Sequence, residues 1–238
     1  MLFTSSRILV MRSDDRQAWS LVHDFSVAER DVRDPHFLVF QDKLFVYTGT
    51  WLVYPGEPHR LDTTEHQGYC AWSSDGESWQ GPQRCEGTHG YYIWRAATYG
   101  GVAYLNGRRT KDFMVVPDRK EDDALQESWL LQSTDGVNWQ PLGLIQPAYG
   151  DETALLFTEK GEALAVARCH SGKGDLSAPA NNMAFTPCAR AAPVVEGDRV
   201  VMPCQITAMA PETAPVVQLV AQLGATRSGF IRPGPSSP

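Results

Sequence analysis

The sequence predicts an all-β fold in which a four-stranded antiparallel sheet is repeated, and three observations lead to this prediction. A Ser-x-Asp turn followed by tryptophan occurs three times, in "RSDDRQAW", "SSDGESW" and "STDGVNW", so that Trp19, Trp79 and Trp139 are spaced 60 residues apart. Runs rich in β-branched and aromatic residues lie between the copies. No long stretch shows the 3.6-residue apolar period of a helix. A repeat of this length indicates a propeller or a solenoid.

The strand-like runs are predicted to pair as hairpins because short turn sequences separate them. The four predicted turns lie at Asp42-Lys43, at Gly100-Gly101, near Lys160-Gly161 and at Gly197-Asp198. Each repeat then reads as hairpin strands A and B, a longer loop, strand C, the Ser-x-Asp turn, and a strand D that starts at the tryptophan. Four-stranded units of this kind, packed radially, form the blades of a β-propeller and protect their sheet edges.

The two ends of the chain depart from this unit. The N-terminal "RILVMRSDDRQAWSLV" supplies only strands C and D, so we expect other strands, from the C-terminal end, to complete that blade. The fourth hairpin comes early, and neither Trp nor Tyr occurs beyond Tyr149. We therefore predict about four to five blades, some incomplete or shortened, in one domain over residues 1–223. Its repeats are clear over 6–168 and degenerate over 169–223, and residues 224–238 are predicted to form a flexible tail.

Composition disfavours several classes of partner. A net charge of −7 and a pI near 5.3 argue against nucleic acid, which is bound chiefly through Lys and Arg. The five cysteines and six histidines lack ligand spacing, so we expect no metal, no organic cofactor and no disulfide framework. No apolar run approaches a spanning length and the start lacks a signal pattern, so we expect no membrane partner and a cytoplasmic location. An incomplete propeller would expose sheet edges, which would favour a homo-oligomer.

The Ser-x-Asp turns are predicted to be structural. Asp and Ser side chains in tight turns bond nearby backbone N–H groups, and three equivalent turns on three blades cannot all face one active centre. We therefore interpret three carboxylates as structural hydrogen-bond acceptors within their own turns: Asp15, Asp75 and Asp135.

The same turns carry a resemblance to a known family. "SSDGESW" and "STDGVNW" resemble the Asp-box of the sialidase (neuraminidase) superfamily, and "SDDRQAW" is a weaker copy. The resemblance implies a sialidase-like β-propeller whose Asp-box turns lie on the outside, between strands C and D.

Candidate site residues lie just before each strand A, where the blades of a propeller converge on the axis. These positions read "DVRDPHF", "YYIWRAA" and "YGDETALL", and "PCARAAP" is their counterpart in the fourth hairpin. Buried charges are costly unless they are paired or functional. The candidates are Arg33, Asp34, Arg95, Asp151, Glu152 and Arg190. The alternative is an Arg–carboxylate network that only fills the channel.

Roles for these residues follow from two resemblances. Similarity to sialidases implies that Arg33, Arg95 and Arg190 clamp a substrate carboxylate, and that an Asp acid/base acts with a Tyr nucleophile paired with a Glu. Tyr92 or Tyr149 would supply that tyrosine only by convergent placement, and Tyr92 and Asp151 are predicted to bind the substrate. "RDP" before an apolar strand also resembles furanosidase and arabinosidase-type glycosidases, which implies Asp34 as base, nucleophile or stabiliser and Glu152 as general acid.

The leading hypothesis is a protein of the sialidase or glycoside hydrolase type that acts on a glycosidic bond of a carbohydrate, an acidic sugar being one option. Three alternatives stay open. The chain could be a non-catalytic propeller that binds glycan or protein, a truncated inactive homologue, or a product whose reading frame is altered near residue 169.

Overall fold

The computed structural model describes residues 1–116, 123–157, 163–169, 194–196, 199–205, 216–222 and 232–233. These residues form five antiparallel sheets, numbered I to V in chain order. Sheet I contains β1 (Ile8–Arg12) and β2 (Ser20–Phe25); sheet II contains β3 (Arg30–Phe40), β4 (Lys43–Leu52), β5 (Gln67–Ser73) and β6 (Trp79–Arg84). Sheet III contains β7 (Tyr92–Tyr99), β8 (Val102–Thr110), β9 (Gln126–Ser133) and β10 (Gln140–Gln146); sheet IV contains β11 (Gly150–Phe157) and β12 (Ala163–Cys169); sheet V contains β13 (Val194–Glu196), β14 (Arg199–Gln205), β15 (Val216–Gln222) and β16 (Arg232–Pro233).

Among the described residues, helical structure is limited to short segments. Two 3-10 turns, Thr63–Glu65 and Lys111–Phe113, lie in the long loops that follow β4 and β8. In the part of the chain that the model describes, no helix has the length and apolarity needed to cross a bilayer.

The predicted hairpins are present. Gly100 and Gly101 both have positive φ, as a two-residue turn between twisted strands requires, and the predicted turn there is confirmed. The first turn lies at Gln41-Asp42, one residue earlier than predicted, because Phe40 pairs with Lys43. Strands β11 and β12 pair as predicted, and so do β13 and β14. The turn residues 160–161 and 197–198 lie outside the described residues.

The Ser-x-Asp turns have the predicted structural role. The Asp75 Oδ1 atom accepts hydrogen bonds from the backbone N–H groups of Glu77 (2.8 Å) and Ser78 (2.7 Å) and from Ser73 Oγ (2.9 Å). Asp15 and Asp135 make the equivalent contacts in their own turns.

These contacts also explain the acidity of the turn carboxylates. The backbone N–H groups of Ser78 and Glu77 hold the pKa of Asp75 well below its usual range. Partial burial acts in the opposite direction at Asp135, but bonds from the Asn138 side chain and from backbone N–H groups outweigh it and lower the pKa to about 2.

The tryptophans that follow the turns pack on the preceding sheet where one exists. Trp139 of sheet III is buried edge-on against Tyr47 of sheet II, and Trp79 of sheet II stacks on His23 of sheet I. Trp19, however, is 59% exposed.

Successive sheets pack face to face and place their first strands side by side. Ile8, Val10 and Phe25 of sheet I form one core with apolar residues of sheet II, and a second core joins sheets II and III. Strand β3 packs against β7, and β7 packs against β11. This arrangement brings the beginnings of three strands A to one place, which determines the position of the candidate site.

The ends of the chain follow the predictions only in part. Sheet I contains strands C and D only, as predicted. Among the described residues, however, the C-terminal strands β13 to β16 pair with one another and do not complete sheet I. Arg232–Pro233, in the predicted tail, pair with β15, and the remainder of 224–238 lies outside the described residues. The domain boundary at residue 223 therefore stays a prediction.

Candidate functional site

The first strands of sheets II, III and IV carry the same irregularity at the same place. In each hairpin, two residues of strand A oppose a single residue of strand B, which is the geometry of a β-bulge. The bulged pairs and the residues opposite them are Asp34-Pro35 with Thr48, Trp94-Arg95 with Asn106, and Asp151-Glu152 with Arg168. A bulge redirects side chains and interrupts strand pairing. Because the three bulges lie at the same place in their hairpins, the charged residues predicted from three separate sequence segments occupy equivalent positions.

Polar groups of strand B hold two of these bulges. The Thr48 hydroxyl accepts a hydrogen bond from the Arg33 N–H (3.1 Å) and donates one to the Arg33 carbonyl (2.6 Å). In the next sheet the Asn106 side-chain oxygen accepts from the Arg95 N–H (2.8 Å). Asp34 itself has a φ of 54°, and a non-glycine residue in this region costs on the order of 1–3 kcal/mol. This strained backbone leaves Asp34 exposed at the end of the hairpin.

Asp34 is joined across the sheet interface to Tyr92. The Tyr92 hydroxyl donates to Asp34 Oδ2 at 2.5 Å. Burial, followed by the negative charge of Asp34, raises the pKa of Tyr92 well above its usual value. Gly49 permits this approach, because a Cβ atom there would lie 3.1 Å from the Tyr92 ring and 3.0 Å from the Ile93 carbonyl oxygen. Two predicted site residues from different sheets are thus in direct contact.

Asp151 and Glu152 form an ion-pair group with two arginines. Asp151 is 1% exposed and pairs with both Arg108 and Arg168, and the Arg168 Nε atom lies 2.8 Å from Glu152 Oε2. Burial acts to lower the pKa of Arg108, but the surrounding negative charges, that of Asp151 first, and the hydrogen bond to Asp151 together outweigh burial, and the pKa is raised. We use the name mouth cluster for Asp34, Tyr92, Arg95, Arg108, Asp151, Glu152 and Arg168.

Sequence reasoning missed Arg108 and Arg168, although a signal for both was present. They lie near the ends of β8 and β12, and the hairpin register places Arg108 opposite Tyr92 and Arg168 opposite the third bulge. In any A–B hairpin the last residues of strand B lie beside the first residues of strand A. Counting back from the predicted turns would have placed both arginines next to the candidate residues.

The predicted arginines have different surroundings. Arg33 donates from Nε (3.1 Å) and Nη2 (2.6 Å) to the buried carboxylate of Asp31, which raises the pKa of Arg33, so its role as an anion clamp stays a prediction. Arg95 is half-buried, and burial lowers its pKa while the charges of Asp34 and Glu152 oppose that shift. Arg95 is therefore within electrostatic reach of both predicted carboxylates. Arg190 lies outside the described residues.

Solved structures share this fold. A protein of unknown function from Dyadobacter fermentans is 18% identical with a TM-score of 0.63, over 98% of this chain and 72% of its own. A GH43 enzyme from Xanthomonas citri, solved with xylotriose, is 11% identical with a TM-score of 0.50, over 85% of this chain and 73% of its own. A mutant GH32 β-fructofuranosidase from Bombyx mori, solved with sucrose, is 12% identical with a TM-score of 0.50, over 91% of this chain and 53% of its own.

These likenesses establish the fold. Together with the repeated four-stranded antiparallel sheets they confirm the predicted all-β propeller. The chain spans about half to three quarters of the length of these three structures. No family model matches the sequence, and no curated protein is similar to it.

Proposed function

We propose that this protein acts on a glycosidic bond of a carbohydrate, as a glycoside-hydrolase-like propeller that uses no metal or organic cofactor. The observation that carries the proposal is the repeated bulge. It places Asp34 and Glu152, from separate sheets, where the charges of both carboxylates act to raise the pKa of Arg95. Glycoside hydrolysis generally requires two carboxyl groups that flank the bond, one to donate a proton and one to act as base or nucleophile.

The contacts of the two carboxylates favour a particular division of roles. Glu152 is paired with Arg168, and a neighbouring positive charge favours the ionised form that a base or nucleophile needs. The remaining role, delivery of a proton to the leaving oxygen, falls to Asp34, which is exposed and can take up that proton from water. This assignment exchanges the roles that the resemblance to arabinosidase-type enzymes implied.

The contacts also bear on the class of sugar. Arg33, Arg108 and Arg168 already pair with Asp31, Asp151 and Glu152, so an incoming substrate carboxylate would have to displace a carboxylate of the protein. A neutral sugar needs no such exchange. These ion pairs therefore support a neutral sugar better than an acidic sugar bound as in a sialidase. The sialoside in the substrate panel below tests the acidic sugar.

The test is hydrolysis of aryl glycosides by the wild type and by the Asp34→Asn and Glu152→Gln variants. The panel contains an arabinofuranoside, a xyloside, a fructoside and a sialoside, the middle two chosen from the ligands of the neighbouring structures. Loss of one acid or base is expected to lower turnover roughly 10²–10⁴-fold. Glu77→Gln, in an exposed ion pair with Arg12, is the matched control and should retain wild-type turnover. Absence of turnover from folded wild-type protein on every substrate would contradict the proposal.

A second candidate function is a non-catalytic propeller that binds a glycan or a protein. It is favoured by the ion pairs among Arg108, Arg168, Asp151 and Glu152, which fill part of the mouth cluster with satisfied charges. This candidate predicts binding of a sugar, measured by calorimetry, without release of product.

A further inference from the structure

Residues 1–6, here called the strap, lie across one side of the mouth cluster. Leu2 N–H donates to the Pro58 carbonyl (2.7 Å), and Phe3 N–H donates to Asp31 Oδ2 (3.0 Å). The Met1 carbonyl accepts from Arg33 Nη2 (3.1 Å). Farther along, Ser6 Oγ accepts from the backbone N–H of Val32 (2.8 Å). The strap is therefore fastened to strand β3 directly beside Asp34.

The side chain of Leu2 occupies an aromatic seat. It is 3% exposed and packs in one cluster with Trp51, Val53, Tyr92 and Trp94. The rings of Trp51 and Trp94 both lie against Tyr92, with centroids 5.9 and 6.5 Å from its centroid. Since Tyr92 donates to Asp34, the seat of Leu2 is continuous with the proposed reacting groups.

The groups that the strap engages are of the kinds that a ligand would use. Ligand sites combine aromatic surface with a few fixed polar groups, and here Leu2 covers the aromatic surface. The strap backbone also takes up Arg33 as a donor and Asp31 as an acceptor. The strap is held by these hydrogen bonds and by the Leu2 side chain, and a segment with few contacts opens at lower cost than a core strand.

We propose that the strap is an autoinhibitory cover that occupies part of the carbohydrate site and has to leave before a sugar can stack on Trp51, Tyr92 and Trp94. The nature of the ligand rests on the proposed function, whereas release of the strap does not. Displacement of Leu2 exposes two buried indoles, and displacement of Phe3 removes one hydrogen bond to the Asp31 carboxylate, which stays paired with Arg33.

The experiment combines two readouts on the intact chain. Leu2→Ala removes the side chain from its seat, and Phe3→Pro removes the N–H that Asp31 accepts. Leu9→Ala is the matched control because Leu9 is 57% exposed on β1. Acrylamide quenching of tryptophan fluorescence reports strap release, and calorimetry measures binding of xylotriose and of sialyllactose. Both strap variants should show greater quenching than the wild type and at least a fivefold lower Kd for one sugar, with Leu9→Ala unchanged.

Other outcomes would overturn the inference in distinguishable ways. Unchanged quenching in both strap variants would show that Leu2 does not hold the strap closed. Greater quenching with weaker sugar binding would make the strap a wall of the site and refute autoinhibition. A third outcome is greater quenching in the strap variants, with no binding of either sugar by the wild type or by any variant. This outcome would refute competition between the strap and a carbohydrate and would count against the proposed function. Release of the strap would still be shown by the quenching.

Discussion

The carboxylates of the Ser-x-Asp turns and those of the mouth cluster differ in where their partners come from. Asp75 accepts hydrogen bonds from the backbone N–H groups of Glu77 and Ser78 and from Ser73 Oγ, all within one turn. Asp151 instead lies buried between Arg108 of another sheet and Arg168 of the neighbouring strand. The first arrangement is local and solvated, and the second exists only when sheets III and IV are packed together.

This difference separates two uses of a charged side chain. A turn carboxylate gains its hydrogen bonds as soon as the turn forms, and water still reaches it. A buried carboxylate loses its hydration, which its arginine partners have to offset, and it keeps its position only while the whole site is intact. Substitutions in the two regions should therefore differ in size, in dependence on pH and in effect on function.

The largest expected effect is at Asp151. Asp151→Asn leaves two guanidinium groups without their shared carboxylate, and removal of one partner of a buried pair costs about 3–5 kcal/mol. Urea denaturation would measure this loss in the free energy of unfolding. Asp24→Asn, which removes the exposed pair with Arg7, is the control and should cost at most about 1 kcal/mol. Equal losses in the two variants would refute the distinction between buried and local carboxylates.

The second expected effect is a dependence of stability on pH that comes from the site. His36, in β3 beside the first bulge, has its pKa lowered to about 3 by burial and by the positive charge of Arg95. Because the ordinary value is 6.5, the unfolded chain takes up this proton first as the pH falls. Stability should thus decline from about pH 6.5 towards pH 3, by about 1.4 kcal/mol per pH unit.

The measurement for His36 is urea denaturation at pH 7 and pH 5. Over this range His36→Phe, which keeps a ring and removes the titration, should lose about 2 kcal/mol less stability than the wild type. His23→Phe, at a histidine that is only partly buried, is the control. An identical decline in the wild type and in His36→Phe would show that this histidine is not held neutral by the fold.

The smallest of these effects is at the turns. Asp135→Ala removes hydrogen bonds to two backbone N–H groups in a largely solvated turn, and a loss of roughly 1 kcal/mol is expected. Because the folded pKa lies near 2, this contribution is present above the ordinary value of 3.8 and is lost as the pH falls through about 2. Thermal unfolding of Asp135→Ala beside Asp14→Ala would test it, and an unchanged Asp135→Ala midpoint would contradict it.

The same comparison explains how far the sequence predicts the molecule. The spacing of Ser73, Asp75 and Trp79 predicts the turn because all of its contacts are local, and Gly100-Gly101 predicts its hairpin for the same reason. The bulges could not be predicted, because a bulge changes the register without leaving a marker such as glycine. The partner of Arg33 in the folded chain was also missed: it is Asp31, two residues away on the same strand.

The most direct test of the account is to compare one mouth carboxylate with one turn carboxylate in the same assay. Asp34→Asn and Asp75→Asn would each be assayed for turnover of the best aryl glycoside and for thermal unfolding. The account predicts that Asp34→Asn loses turnover while it keeps the wild-type unfolding midpoint, and that Asp75→Asn keeps turnover and unfolds at a lower temperature. Full turnover by Asp34→Asn, or loss of turnover by a folded Asp75→Asn, would contradict it.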